Sequence, residues 1–174
     1  MSDERDRFEA IFRRHFDAVS RYVVRRLGQT VSPDIVSETF LVAWRRLADV
    51  PNSALPWLYA TARNLVATEI RRQQREVALG RRLAARTEVR SADLGEFIAE
   101  RLAVTAVIHH LSERDREVLR LVQWEGLTVA DAAIVMGCSQ AAFKVRLHRA
   151  RRRLATSMSP PTNEPTPYEL GALP

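Results

Sequence analysis

The residues best placed to do chemistry lie between Thr128 and Leu154. Lys144, His148, Arg149 and Arg152 recur at the intervals that put side chains on one face of a helix, and Ala141 and Val145 join that face. Phe143, Leu147, Ala150 and Leu154 follow i, i+4, i+7 and i+11 and form an apolar stripe on the opposite side. Lysine and arginine reach guanine edges or phosphates and a valine can touch a thymine methyl, so the polar face suits a DNA major groove. Ser139 stands at the cap of this helix, whose first-turn N–H groups can hold a phosphate. A solvated basic face on a core helix would show the same pattern. The upstream punctuation favours DNA. Thr128-Val129-Ala130-Asp131 signals a helix start, and Gly137 stops that helix four residues after the small Ala133. Small residues there let two helices cross through a tight turn, the helix-turn-helix arrangement.

Two earlier helices carry mixed faces. Over residues 33–47, Val36, Phe40, Ala43, Trp44 and Leu47 form an expected core stripe, leaving Asp34, Ile35, Glu38, Leu41 and Val42 outside it. Apolar and acidic residues mixed on an outer face fit a partner surface, or else a broad core stripe with ordinary surface acids. In the following helix Leu55, Leu58, Tyr59, Ala62, Leu65, Val66 and Ile70 are the apolar side, while Trp57, Asn64 and Arg71 align opposite, flanked by Arg63 and Arg72. An aromatic among basic and amide groups can stack a base and neutralise phosphates. The competing expectation is that Trp57 simply packs on the first helix.

The elements that must position these faces read as helices throughout, with no alternating strand pattern. Phe8, Ile11, Phe12, Val19, Tyr22, Val23 and Leu27 mark a first helix ending at Gly28. Ser32-Pro33 reads as an N-cap and first-turn proline, Asp49-Val50-Pro51 as a break, and Pro56 as the opening of the third helix. Phe97, Val104, Ile108 and Leu111 mark another helix, and Ser112-Glu113-Arg114-Asp115 a capping-box-like start for the next, which ends near Gly126.

The chain of 174 residues carries a net charge of +6: +4 over residues 1–75, −1 over 76–100, +5 over 101–155 and −2 over 156–174. Lys144 is the only lysine. The arginine excess fits nucleic acid, and it equally fits codon bias. A single cysteine, Cys138, leaves no disulfide framework or thiolate metal cage, and it reads as a packing residue. Adjacent His109 and His110 diverge on a helix and suit a helix end better than a metal. No phosphate-binding glycine loop, nucleophile elbow or zinc-protease motif occurs, so no enzyme, cofactor or metal is expected. No uncharged stretch is long enough to span a membrane, and the N-terminus is not that of a signal peptide, so a soluble cytoplasmic protein is expected.

Leu111-Ser-Glu-Arg-Asp-Arg-Glu-Val-Leu-Arg-Leu-Val, Trp124-Glu-Gly-Leu-Thr, Gly137-Cys-Ser and Lys144-Val-Arg-Leu-His-Arg-Ala-Arg-Arg-Arg-Leu154 together resemble region 4 of bacterial sigma factors, most closely the extracytoplasmic-function (ECF) group. The resemblance implies reading of the −35 promoter element by Ser139, Gln140, Ala141, Lys144, Val145, His148, Arg149 and Arg152, and contact with the flap of the polymerase β subunit. Small Ala132 and large Phe143 depart from the family pattern together, as in a compensating volume swap, and Val145 stands where serine is frequent. Pro33-Asp-Ile-Val-Ser-Glu-Thr-Phe-Leu-Val-Ala-Trp44 resembles sigma region 2.2, which implies docking on the β′ clamp helices by Asp34, Ile35, Glu38, Thr39, Leu41 and Val42. Trp57-Leu-Tyr-Ala-Thr-Ala-Arg-Asn64 resembles regions 2.3 to 2.4, which melt the −10 element. The loop before it, Asp49 to Pro56, is short with two prolines, and offers Asn52 and Ser53 as base contacts.

The expectation is therefore an all-α chain of two small helical domains: a σ2-like bundle over 1–75 and a σ4-like helix-turn-helix unit over 97–155. A flexible linker is expected over 76–96, although residues 76–86 could instead prolong the third helix, and a disordered proline-rich tail is expected over 156–174. The implied partners are core RNA polymerase, promoter DNA and an anti-sigma factor. A polymerase-independent helix-turn-helix regulator and a purely protein-binding helical adaptor are the alternatives.

Overall fold

A computed structural model describes residues 2–29, 31–84 and 111–158, and every regular element among them is helical. The order is α1 (Ser2–Leu27), α2 (Ser32–Arg45), a 3₁₀ turn (Leu47–Asp49), α3 (Ala54–Ala84), α4 (Glu113–Gln123), α5 (Val129–Met136) and α6 (Gln140–Met158). The expected helix around Phe97, Val104 and Ile108, the histidine pair 109–110, most of the expected linker and residues 159–174 lie outside the described residues.

Gly28 follows α1 at φ +75, the left-handed conformation a helix stop favours. Ser32 is not the cap of α2, as its type suggests. Val31 holds the cap position, and Ser32 turns its hydroxyl back to the Gly28 carbonyl. α3 begins two residues before Pro56, which sits in the first turn, where a missing N–H breaks no helical bond. Its far end runs to Ala84, so the start of the 76–96 stretch prolongs the third helix, the alternative the sequence left open. Ser112 and Thr128 cap α4 and α5 by accepting from the N–H of Asp115 and Asp131, each at 3.1 Å. α5 ends at Gly137 with φ 60, and the Cys138 N–H reaches back to the Ala133 carbonyl at 3.0 Å.

α1, α2 and α3 pack mutually around Val19, Tyr22, Val23, Phe40, Leu58 and Ala62. α4, α5 and α6 pack around Val118, Leu121, Ala132, Ala133, Phe143 and Leu147. α3 also packs along α5, so the two cores meet in one apolar cluster. One core assignment is overturned: Trp44 is 45% exposed, its ring edge-on to Phe8 at 5.1 Å between centroids. α1 fills the space beneath the end of α2 with aromatic rings, and Trp44 is left at the rim.

Candidate nucleic-acid and partner interfaces

α6 presents the basic face. Phe143, Leu147 and Ala150 are buried against α4 and α5, which fixes the rotation of the helix. Ser139, Gln140, Ala141, Lys144, Val145, His148, Arg149 and Arg152 are consequently all exposed, Val145 by 50%. Ser139 Oγ accepts from the Ala142 N–H at 3.2 Å and caps the helix.

The neighbouring arginines divide by partner. Arg153 is held by Asp115, and Arg120 bonds Glu113 at 2.9 Å. Among the described residues no ion pair ties Lys144, Arg149 or Arg152. Part of the arginine surplus thus braces α4 and α6, while Lys144, Arg149 and Arg152 stand toward solvent.

On α3 the predicted residues separate. Asn64, Arg71 and Arg72 are exposed, as are Asn52 and Ser53 in the loop before the helix. Arg71 donates to Thr68 Oγ1 at 3.1 Å. Arg72 forks onto Glu69 with two bonds of 2.8 Å, and these hydrogen bonds draw the Glu69 carboxyl below its usual range. A phosphate would have to compete with that fork. Trp57 is half-buried against the core with the Arg46 guanidinium 6.0 Å from its ring centroid. Arg63 is half-buried and lines a cleft between the two helical units together with Tyr22 and Glu117. The chain does not bring Arg63 onto one open surface with Arg71 and Arg72.

Arg7 was not legible as part of this site. From α1 it donates to the Leu47 carbonyl at 2.9 Å and to the Val50 carbonyl, clasping the turn that leads to Asn52 and Ser53. A lone arginine in a charged N-terminal stretch carries no sequence signal of that reach.

On α2, Asp34 and Leu41 are exposed, and Ile35, Glu38 and Val42 are half-buried along the outer face. Thr39 is a correction: it is 0% exposed, and its hydroxyl donates to the Ile35 carbonyl at 2.7 Å. At that position the helix faces its neighbours, and the backbone bond satisfies the hydroxyl, so Thr39 cannot touch a docked partner. Beside Leu41 runs an apolar groove lined by Phe8, Phe12, Phe40, Leu41 and Trp44. Phe12 meets Phe40 edge-on at 4.8 Å, yet Phe12 and Phe16 stay 37% and 39% exposed. The available signal was the run Phe8, Phe12, Phe16, an aromatic row beside the Val19/Tyr22/Val23 core stripe.

Two family models match the chain: Sigma-70 region 2 over residues 11–76, and Sigma-70, region 4 over residues 101–154. The ECF RNA polymerase sigma factor BldN of Streptomyces coelicolor is 34% identical over 161 residues, which are 87% of this chain and 60% of that relative. The chain thus spans about three fifths of BldN's length. The ECF RNA polymerase sigma factor SigC of Mycobacterium tuberculosis is 31% identical over 157 residues, 87% of this chain and 83% of that one. The solved sigma factor RpoE, in complex with the anti-sigma factor NepR from Bartonella quintana, shares the fold at a TM-score of 0.61 and 22% identity, over 86% of this chain and 95% of that one. CnrH, solved with the cytosolic domain of CnrY, matches at a TM-score of 0.58 and 25% identity, over 86% of this chain and 85% of that one.

Proposed function

Since the chain belongs to the ECF group of the sigma-70 family, we propose that it binds core RNA polymerase and directs initiation at promoters by reading −35 and −10 elements. The observation that carries this reading is the open face of α6, where Lys144, Arg149 and Arg152 stand exposed and outside any ion pair among the described residues. Region 2-like work falls to the unit of α1–α3 and region 4-like work to the unit of α4–α6. In the −35 groove, Lys144, Arg149 and Arg152 contact bases or phosphates, Ala141, Val145 and His148 shape the apolar and polar fit, and Ser139 and Gln140 meet the backbone at the helix start.

At the −10 element the exposed set is Asn52, Ser53, Asn64, Arg71 and Arg72, with the half-buried Trp57 on the same helix as Asn64, Arg71 and Arg72. Arg7 acts on that loop from behind, as a positioning residue. The polymerase contact is the outer face of α2 at Asp34, Ile35, Glu38, Leu41 and Val42, widened by the groove at Phe12 and Trp44. The clamp helices and the flap are the polymerase elements implied, and an anti-sigma factor is the implied regulator. The polymerase performs the chemistry, so the chain acts in the cytoplasm without catalysis or a cofactor of its own.

Bivalence explains why one chain carries two weak DNA readers. Each contributes modest affinity, and tethering turns the second contact into an intramolecular one. Fluorescence anisotropy of a promoter fragment separates this reading from a free-standing helix-turn-helix regulator. Sequence-specific binding that requires core polymerase supports the sigma role. Tight specific binding by the chain alone, unchanged by polymerase, supports the regulator.

A further inference from the structure

A cleft of about 410 Å³ lies between α3 and α4, with Tyr22 and Arg26 of α1 also on its wall. Arg63, Val66, Ala67, Ile70 and Gln74 line it from α3. Their helical spacing makes one stripe, with a guanidinium at one end, an amide at the other and apolar side chains between. α4 supplies Glu113, Arg114, Arg116, Glu117 and Arg120.

The cations in this cleft outnumber their acceptors. Arg26 is neutralised by Glu117, through two bonds of 3.0 Å, and by Glu125 at 3.1 Å. Glu113 serves two guanidiniums at once, those of Arg116 and Arg120, each at 2.9 Å. Arg63 and Arg114 have no carboxylate partner among the described residues. Arg114 is exposed, so water suffices for it. Arg63 is half-buried, and its charge acts on the Tyr22 phenol in the same cleft. A guanidinium carries five N–H donors, and leaving them partly out of water without an acceptor is unfavourable. Walls of one sign around a partly closed space also concentrate counter-ions.

We propose that the cleft is a binding site for a nucleoside polyphosphate. The phosphate chain lies against Arg63 and Arg114, and the base and sugar lie on Val66, Ala67 and Ile70 with the Gln74 amide at their edge. Three features select this class. Arginine forks match phosphate oxygens in pairs. At about 30 Å³ per water the cleft has room for roughly a dozen waters, far more than one orthophosphate displaces. The apolar stripe and its amide seat a flat organic body, which an inorganic polyphosphate does not use. The cleft is separate from the α6 face and from the outer face of α2, and Arg63 is the one −10 candidate that it shares. Its test needs neither polymerase nor DNA, so the site stands or falls apart from the promoter-reading role.

Isothermal titration calorimetry of the full chain with ATP, GTP and inorganic tripolyphosphate, at about 0.15 M salt, decides it. At least one nucleotide should saturate at one per chain and bind about tenfold more tightly than tripolyphosphate. Arg63→Gln and Arg114→Gln should each weaken that nucleotide about tenfold. Ile70→Ala should weaken it roughly threefold and leave tripolyphosphate unchanged. Arg75→Gln removes the same charge from α3 outside the cleft and should change nothing. Bound nucleotide should also raise the thermal midpoint of the parent, and raise that of Arg63→Gln less. Arg114 is exposed, so Arg114→Gln keeps the test decisive should Arg63→Gln perturb the fold. Absence of saturable binding would overturn the site. An equal loss in Arg75→Gln would also overturn it, by reducing the binding to general attraction toward a basic chain. Tripolyphosphate binding as tightly as the nucleotides would overturn the nucleoside assignment.

Discussion

Tyr22 and Glu117 stand 95 positions apart in sequence, and the Tyr22 hydroxyl donates to the Glu117 carboxylate at 2.9 Å in a buried contact between two helical units. Burial, followed by the Glu117 charge, raises the Tyr22 pKa, and burial followed by Glu125 pushes Tyr59 up to about 12. Both phenols therefore stay protonated in the folded chain where an unfolded one would lose its proton. Their contribution to stability is complete below pH 10 and is lost as pH rises toward 12 and beyond. A spectrophotometric titration should show delayed phenolate formation in the folded chain, and thermal stability should fall steeply above pH 10. Ordinary tyrosine titration in the folded state would contradict the buried contact.

At the acid side His15 works in the opposite sense. Burial and the neighbouring Arg14 charge lower its pKa from 6.5. A histidine held neutral by folding contributes stability above 6.5, and loses it as pH falls toward the lowered value. His15→Gln should flatten stability between pH 7 and the acid limb, as read by denaturant midpoints. An unchanged acid limb would remove this role.

The turn between α5 and α6 depends on Gly137 at φ 60, where an added Cβ meets nothing within 4 Å. Gly137→Ala should therefore cost backbone strain alone, roughly 1–2 kcal/mol, with the α6 face still able to bind DNA. Phe143, 0% exposed, and Ala132, 0% exposed, share the apolar cluster. Phe143→Val should cost roughly 2 kcal/mol or more by leaving a cavity, and if the two side chains compensate in volume, Ala132→Val should recover part of that cost. Strictly additive effects in the double-mutant cycle would end the volume-swap account.

The helices themselves were legible because apolar spacing, serine and threonine caps and Gly137 are local signals, and the packing agrees with them from Ser112 to Leu154. The α6 face was legible for the same reason: Phe143, Leu147 and Ala150 fix its rotation. Trp44 was misplaced because a helical wheel gives an angle but not the depth of the neighbour at that angle, whereas Thr39 entered through the resemblance alone and the wheel did not put it on the outer face. α1 stacks Phe8 and Phe12 beneath α2, so Trp44 rides outward while Thr39 turns in. Arg7, Arg26 and Glu117 act across 40 to 95 positions, and no window along the sequence contains both partners of such contacts.

The outer face of α2 yields a paired prediction. Glu38→Arg and Trp44→Ala should each weaken binding to core polymerase by about tenfold, near 1.4 kcal/mol, with helicity unchanged. Thr39→Val, which removes a hydroxyl already satisfied by the Ile35 carbonyl, should leave polymerase affinity unchanged. A polymerase defect in Thr39→Val with normal stability would restore Thr39 to the contact.

On α6, Lys144→Ala or Arg149→Ala should cost about 1–3 kcal/mol in −35-dependent promoter binding. Polymerase affinity should be spared, as read by anisotropy on fragments with and without the −35 element. Equal losses on both fragments would make the residue a phosphate contact with no part in reading sequence.

Run-off transcription with purified core polymerase, in the presence and absence of this chain, tests the central claim most directly. A promoter-specific transcript should appear only with the chain, and charge reversal of Lys144 and Arg149 should abolish its −35 dependence. No specific transcript from any candidate promoter, with the chain demonstrably folded, would contradict the sigma role.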